Sequence, residues 1–279
     1  MSKTAIVLDK CFIQSTNKIK ILELARLHRL IISDALFYEL LTENDPKTRS
    51  KCFAKFLPNE NPVDLVSHIG TLMRIEIDRH QAAGKPSQNR ELIRFQFNPQ
   101  LIDSEYKFPK EVEQEIFNLT TELKTDVKIF SEIASMTPSF FPNLFTGTQA
   151  QRDQAKKDAE EAIASPDSLL DFYSKIESPY GEKPLPPAIL ITQDWAIYRW
   201  LQVRFLFALD LYLRYHGNIP IELSANVYEK MEHDVLDAQI LMLGCLEGAF
   251  ATNEKKLKRW FRLLCPNGIL YDEHSMRNL

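Results

Sequence analysis

The chain has 279 residues, 44% of them hydrophobic and 26% charged, with a net charge of −4. That size holds one large domain or two ordinary ones, and that balance is typical of soluble globular proteins. It also excludes a global basic field, so any contact with a polynucleotide has to come from a local patch.

No apolar run approaches the roughly eighteen residues of a membrane span. The N-terminus reads as a first strand, without the basic-then-apolar pattern of a leader. The four cysteines (Cys11, Cys52, Cys245 and Cys265) are scattered and mostly sit in apolar segments, as reduced core residues of a cytoplasmic protein do. The histidines have no zinc-type spacing with cysteine. The eight glycines form no phosphate-binding loop.

Ala5-Ile-Val-Leu-Asp9 is a short apolar run ending in an acid, the pattern of a buried strand. Asn17 then caps a helix whose apolar positions are Ile21, Leu22, Leu24 and Leu27. A second strand is expected at Leu30–Ser33 and a helix at Asp34–Leu41. This β-α-β-α opening predicts a parallel, right-handed sheet.

From about 45 to 225 the periodicity is helical. Val112, Ile116, Leu119, Leu123, Val127 and Phe130 mark one helix, and 149–164 reads as a polar, solvated one. Residues 178–187 are a loop by their proline and glycine content. A strongly apolar helix is expected from about Thr192 to Tyr215. The α/β pattern then returns, with a helix opening at Asp234, a strand Ala249–Ala251, a helix Glu254–Leu264 and a last strand near Ile269–Tyr271. The fold class read from this pattern is α/β, with a small, mostly parallel sheet. Residues 1–44 and 226–279 build its core around an all-helical insertion, 45–225.

Five acids fall at or just beyond the expected carboxyl ends of strands: Asp9, Glu39, Asp234, Asp237 and Glu254. Ligands and catalytic groups usually sit at that edge of an open α/β sheet. Several acids there, without histidine or cysteine, suit a hard cation such as Mg²⁺ or Mn²⁺ better than zinc. Two such ions can clamp the attacking and leaving oxygens of a phosphodiester displacement. A competing reading makes the same acids helix caps, since helices begin at that edge too. Asp234-x-x-Asp237 has the spacing of an N-cap and its N3 partner. Glu39 lies too deep in its helix to be a cap.

Strand-end Asp9, Ser33 with Glu39 six residues later, Asp234-x-x-Asp237 and Ala-Thr252-Asn253-Glu254 together resemble the PIN-domain nucleases. The resemblance covers about residues 4–44 and 226–272. It implies a PIN-like, Rossmann-like fold in which Asp9, Glu39, Asp234 or Asp237, and Glu254 bind Mg²⁺ or Mn²⁺. Glu254 stands where an Asp is usual, and Thr252 matches the hydroxyl that helps hold the site. The implied activity is endonucleolytic cleavage of RNA, less often DNA.

Lys255, Lys256 and Arg259 follow as a candidate phosphate-contact patch. Glu254-x-Lys256 also imitates the carboxylate-and-lysine pattern of restriction-type nucleases, but in a helix rather than a strand. The partner expected first is RNA and then DNA. No membrane partner is expected, and a protein inhibitor or a second copy of the chain is left open. A non-enzymatic reading also stands, in which the core is a scaffold and the helical block binds a protein.

Overall fold

Ala5–Leu8 (β1), Arg29–Ile32 (β2), Asp64–Leu65 (β3), Ala249–Ala251 (β4) and Ile269–Tyr271 (β5) form one sheet in a computed structural model of the chain. The strand order is β3-β2-β1-β4-β5, and every neighbouring pair is parallel. The structure describes residues 3–56, 63–89, 98–174, 183–220 and 224–277.

All four residues of β1 are buried, as a central strand covered on both faces requires. Each such Ile, Val or Leu contributes about 1.5–3 kcal/mol relative to leaving it exposed. The chain leaves β1 toward β2 on one side and reaches β4 on the other much later. The boundary between β1 and β4 is therefore the point where strand order reverses, and a crevice opens there beyond the carboxyl ends.

Helices α1 (Lys10–Ser15) and α2 (Lys18–Leu27) connect β1 to β2, and the Asn17 side chain caps α2 by accepting from the Lys20 amide. After β2, the Ser33 hydroxyl accepts from the Leu36 amide at 3.0 Å and starts α3 (Asp34–Leu41). The block that follows contains α4 (Pro46–Phe53), α5 (Ile69–Arg79), α6 (Lys110–Ser135), α7 (Thr137–Phe140), α8 (Gln149–Ala164), α9 (Pro166–Tyr173) and α10 (Ala196–Arg214). The chain returns through α11 (Ala225–Glu247) and α12 (Lys255–Leu264).

One apolar core runs from the sheet into the helical block. Phe207 of α10 joins its parts, with ring centroids 6.5 Å from Phe130 of α6 and 4.7 Å from Trp260 of α12. Gly244 lets α11 approach β4, because a Cβ there would lie 2.9 Å from the Phe250 ring. Gly248 ends α11 in the left-handed conformation at φ 78°, where glycine pays no steric penalty.

Three expectations need correction. The 45–225 block is not all-helical, because β3 lies inside it and forms one edge of the sheet. Two residues are too few to show a period. The helix expected to open at Asp234 begins at Ala225 behind Ser224, so Asp234 and Asp237 lie in its middle and cannot cap it. The apolar helix expected from Thr192 starts at Ala196. Of the proline-rich loop, 183–187 is irregular as expected, whereas 178–182 lies outside the described residues. No helix among the described residues is long and apolar enough to cross a membrane.

Candidate functional site

Asp9 follows the last residue of β1, and its amide donates to the Ala251 carbonyl of β4 at 3.0 Å. That bond brings the ends of the two strands together, so Asp9 meets Thr252 directly. The Thr252 hydroxyl donates to Asp9 Oδ2 at 2.7 Å and accepts from the Glu254 amide at 3.1 Å. Both Asp9 and Thr252 are buried. Asn253 pins the same turn, donating to the Ser15 hydroxyl and accepting from the Glu273 amide.

The capping alternative fails on geometry. Asp9 and Glu254 both occupy N-cap positions, of α1 and α12, and neither side chain makes a capping bond. Glu39 lies within α3, and Asp234 and Asp237 lie within α11.

Asp9 and Glu39 form the buried floor of the cluster, at 2% and 7% exposed. Asp237 and Glu254 form its more open rim. Burial pushes the Asp9 carboxyl up from the usual range to about 7. The Thr252 hydroxyl opposes the rise, and the charges of Glu39 and Glu254 add to it. Burial also raises Asp237, with Glu254, Asp9 and Glu39 contributing and Lys256 opposing. Glu254 is raised by burial, partly offset by Lys256. These mutual effects place the four carboxylates in one electrostatic neighbourhood, since like charges raise each other's pKa only at short range.

Three basic groups stand against the cluster. Lys10 Nζ lies 3.5 Å from Glu39 Oε1 and 3.1 Å from Glu43. Burial lowers the Lys10 ammonium, and Glu39 and Glu43 outweigh it, so the net shift is upward. His233 Nδ1 lies 3.4 Å from the same Glu39 oxygen, and that contact raises its pKa. Lys256 Nζ reaches Asp234 at 2.9 Å, and Asp237 and Glu254 at 4.0 Å each. It also lies 4.6 Å from the Phe207 ring centre.

Asp234 belongs to the periphery. Arg214 holds both of its oxygens, at 2.7 and 3.1 Å, and Lys256 shares one of them. The expected basic patch divides in the same way. Lys255 is exposed, Lys256 points into the acids, and Arg259 pairs with Glu160. A single continuous phosphate patch on α12 is therefore replaced by one inward lysine and one exposed lysine.

Lys10, His233 and the Arg214–Asp234 pair were not anticipated as parts of the site. The Asp9-Lys10 adjacency was the available signal for the first. For His233 the signal was its place one helical turn before Asp237, whereas Arg214 meets the cluster only through the packing of α10 on α11.

The donors fit a hard divalent cation in kind. All four are carboxylates, and Glu39 Oε2 is a buried oxygen without a hydrogen-bond partner. Among the described residues, no three His, Cys, Asp or Glu side chains stand close enough to share one ion. The carboxylates lean instead toward Lys10, His233 and Lys256, as unneutralised acids do when cations are within reach. Comparison with protein-family models, curated proteins and solved structures finds no match.

Proposed function

We propose that this protein is a metal-dependent nuclease of the PIN-like type, acting on RNA in the cytoplasm. The observation that carries the proposal is the meeting of Asp9, Glu39, Asp237 and Glu254 at the strand-order reversal between β1 and β4, with their carboxyls uncommitted to capping. Free cysteines throughout suit a reducing compartment.

Asp9, Glu39, Asp237 and Glu254 would hold Mg²⁺ or Mn²⁺, with Asp234 outside the set because Arg214 engages both its oxygens. Such an ion supplies Lewis-acid stabilisation of the negative charge that develops on a phosphodiester during hydrolysis. The chain's own groups do the positioning. Thr252 fixes the Asp9 carboxyl through its hydroxyl and the start of α12 through the Glu254 amide. Asp234, itself clamped by Arg214, holds the Lys256 ammonium at the rim. There it offers a positive charge to a phosphate oxygen, in a partly buried setting where charge interactions are strong.

One observation favours a second reading. Lys10, His233 and Lys256 already balance much of the acid charge, as they would in a catalytically silent scaffold. Incubation of end-labelled single-stranded RNA and DNA pools with Mn²⁺ or with EDTA separates the two. A nuclease cuts with Mn²⁺, stops in EDTA, and loses the activity in Asp9→Asn and Asp237→Asn. Preference for the DNA pool would correct the substrate, and no cutting of either pool would leave the scaffold.

A further inference from the structure

The acids of the candidate site are not served evenly. On the floor, Lys10 and His233 both reach the same oxygen of Glu39, Oε1. Glu39 Oε2 is buried without a hydrogen-bond partner, on a side chain that is itself more than nine-tenths buried. Asp9 receives the Thr252 hydroxyl, and the charges acting on it are the like charges of Glu39 and Glu254. A buried carboxylate oxygen without a donor is costly unless something enters to meet it. The floor is a place prepared for a cation from outside.

The rim differs, because the chain supplies its own cation there. Lys256 Nζ donates to Asp234 at 2.9 Å and lies 4.0 Å from both Asp237 Oδ2 and Glu254 Oε1. The Phe207 and Trp260 rings face it with their centres at 4.6 and 5.5 Å. Carboxylates on one side and aromatic faces on the other make a site for a small cation, and the ammonium fills it. Arg214 engages both oxygens of Asp234, which fixes the acid that anchors the ammonium. At 4.0 Å, Asp237 and Glu254 are beyond hydrogen-bond length, so Lys256 counters their charge without tying up their oxygens.

Sites that use two divalent ions hold them about 4 Å apart between shared carboxylates. Here a second ion at the rim would stand against an anchored ammonium, and like charges at that range repel strongly in a partly buried setting. We propose that the cluster takes a single divalent ion, on the Asp9–Glu39 side, and that the Lys256 ammonium stands where a second ion would. Asp237 and Glu254 are shared between the two cations. The positive charge that a second ion would present to a phosphate is then built into α12 and does not depend on metal concentration. The inference rests on the nuclease reading for the ion itself and adds the number of ions and the reason for it.

The test counts Mn²⁺ bound per chain at saturation, by electron paramagnetic resonance of the full chain at pH 8. Wild type should bind one ion, and its bound-ion spectrum should lack the exchange coupling of a neighbouring pair. Lys256→Met removes the charge at similar length and should admit a second ion, giving a coupled spectrum. Lys256→Arg keeps the charge and should stay at one. Two ions in wild type would overturn the inference and leave the nuclease reading standing. One ion in both wild type and Lys256→Met would overturn the role given to Lys256. No bound ion in any of them would remove the metal site, and with it both readings. If Lys256→Met folds poorly, Lys256→Gln carries the same count, and the wild-type number is read on the unaltered protein in any case.

Discussion

Asp9→Asn in EDTA isolates the cost of the cluster's most buried charge. In the folded protein the Asp9 carboxyl is pushed from 3.8 to about 7, chiefly by burial. A carboxyl raised on folding favours the neutral form. Its ionisation therefore leaves stability intact below about pH 4, removes it progressively up to about pH 7, and adds nothing further above. At about 1.4 kcal/mol per pKa unit, the full penalty is about 4 kcal/mol. Linkage places about 2–3 kcal/mol of it between pH 5 and pH 8.

Asn keeps the shape and can still accept from the Thr252 hydroxyl, but it cannot ionise. The variant should therefore melt above wild type at pH 8. The gap should shrink by about 5 °C at pH 5, taking about 2 °C per kcal/mol for a chain of this size. Thermal melts at pH 5, 6.5 and 8 in EDTA measure it. A gap that does not change with pH, or an Asn variant less stable at pH 8, would refute the assignment of Asp9 as a buried carboxyl strained by its neighbours.

Thr252→Val keeps the shape and removes the hydroxyl that serves both Asp9 and the Glu254 amide, so it should cost about 1–3 kcal/mol at pH 8. The cost should be smaller at pH 5, where Asp9 is largely neutral, as melts at the two pH values would show. Lys256→Met should destabilise by about 3 kcal/mol at pH 7 in urea unfolding, because it strips Asp234, Asp237 and Glu254 of a shared partner. The Lys256 pKa is raised by Asp234 and Asp237 against burial, so this stabilisation is complete below the ordinary lysine value of 10.5 and is lost only above it. Lys255→Ala, on the exposed side, should stay within about 0.5 kcal/mol. Gly248→Ala meets no atom within 4 Å but keeps φ 78°, so melts should show strain alone, about 1 kcal/mol. Gly244→Ala meets the Phe250 ring at 2.9 Å and should cost more.

The strands that build the site were legible because they are buried on both faces. Ala5–Leu8 and Ala249–Ala251 are unbroken apolar runs that end in polar residues, so the sequence places Asp9 and Thr252 at strand ends without any tertiary knowledge. Glu39 was legible as an acid too deep in its helix to cap it.

The start of α11 was not legible, because its first turns are polar and carry little period, which hid nine residues of helix before Asp234. That misplacement gave Asp234 and Asp237 the appearance of equal partners. In the structure, Arg214 from α10 engages one of them, and sequence separation gave no hint of that contact. Lys256 was misread for a similar reason. The sequence grouped it with Lys255 and Arg259 in one basic patch, but α12 packs so that its ammonium falls between Phe207 and the acids.

The claim that Asp9, Glu39, Asp237 and Glu254 form a divalent cation site is tested most directly by Mn²⁺ titration followed by electron paramagnetic resonance of the free ion. Wild type should remove Mn²⁺ from solution in a saturable way at pH 8. Asp9→Asn and Asp237→Asn should each weaken that binding at least tenfold, and Lys255→Ala should leave it unchanged. A wild-type protein that leaves the free Mn²⁺ signal unchanged across the titration would contradict the claim, and the cluster would then be one neutralised by Lys10, His233 and Lys256 alone.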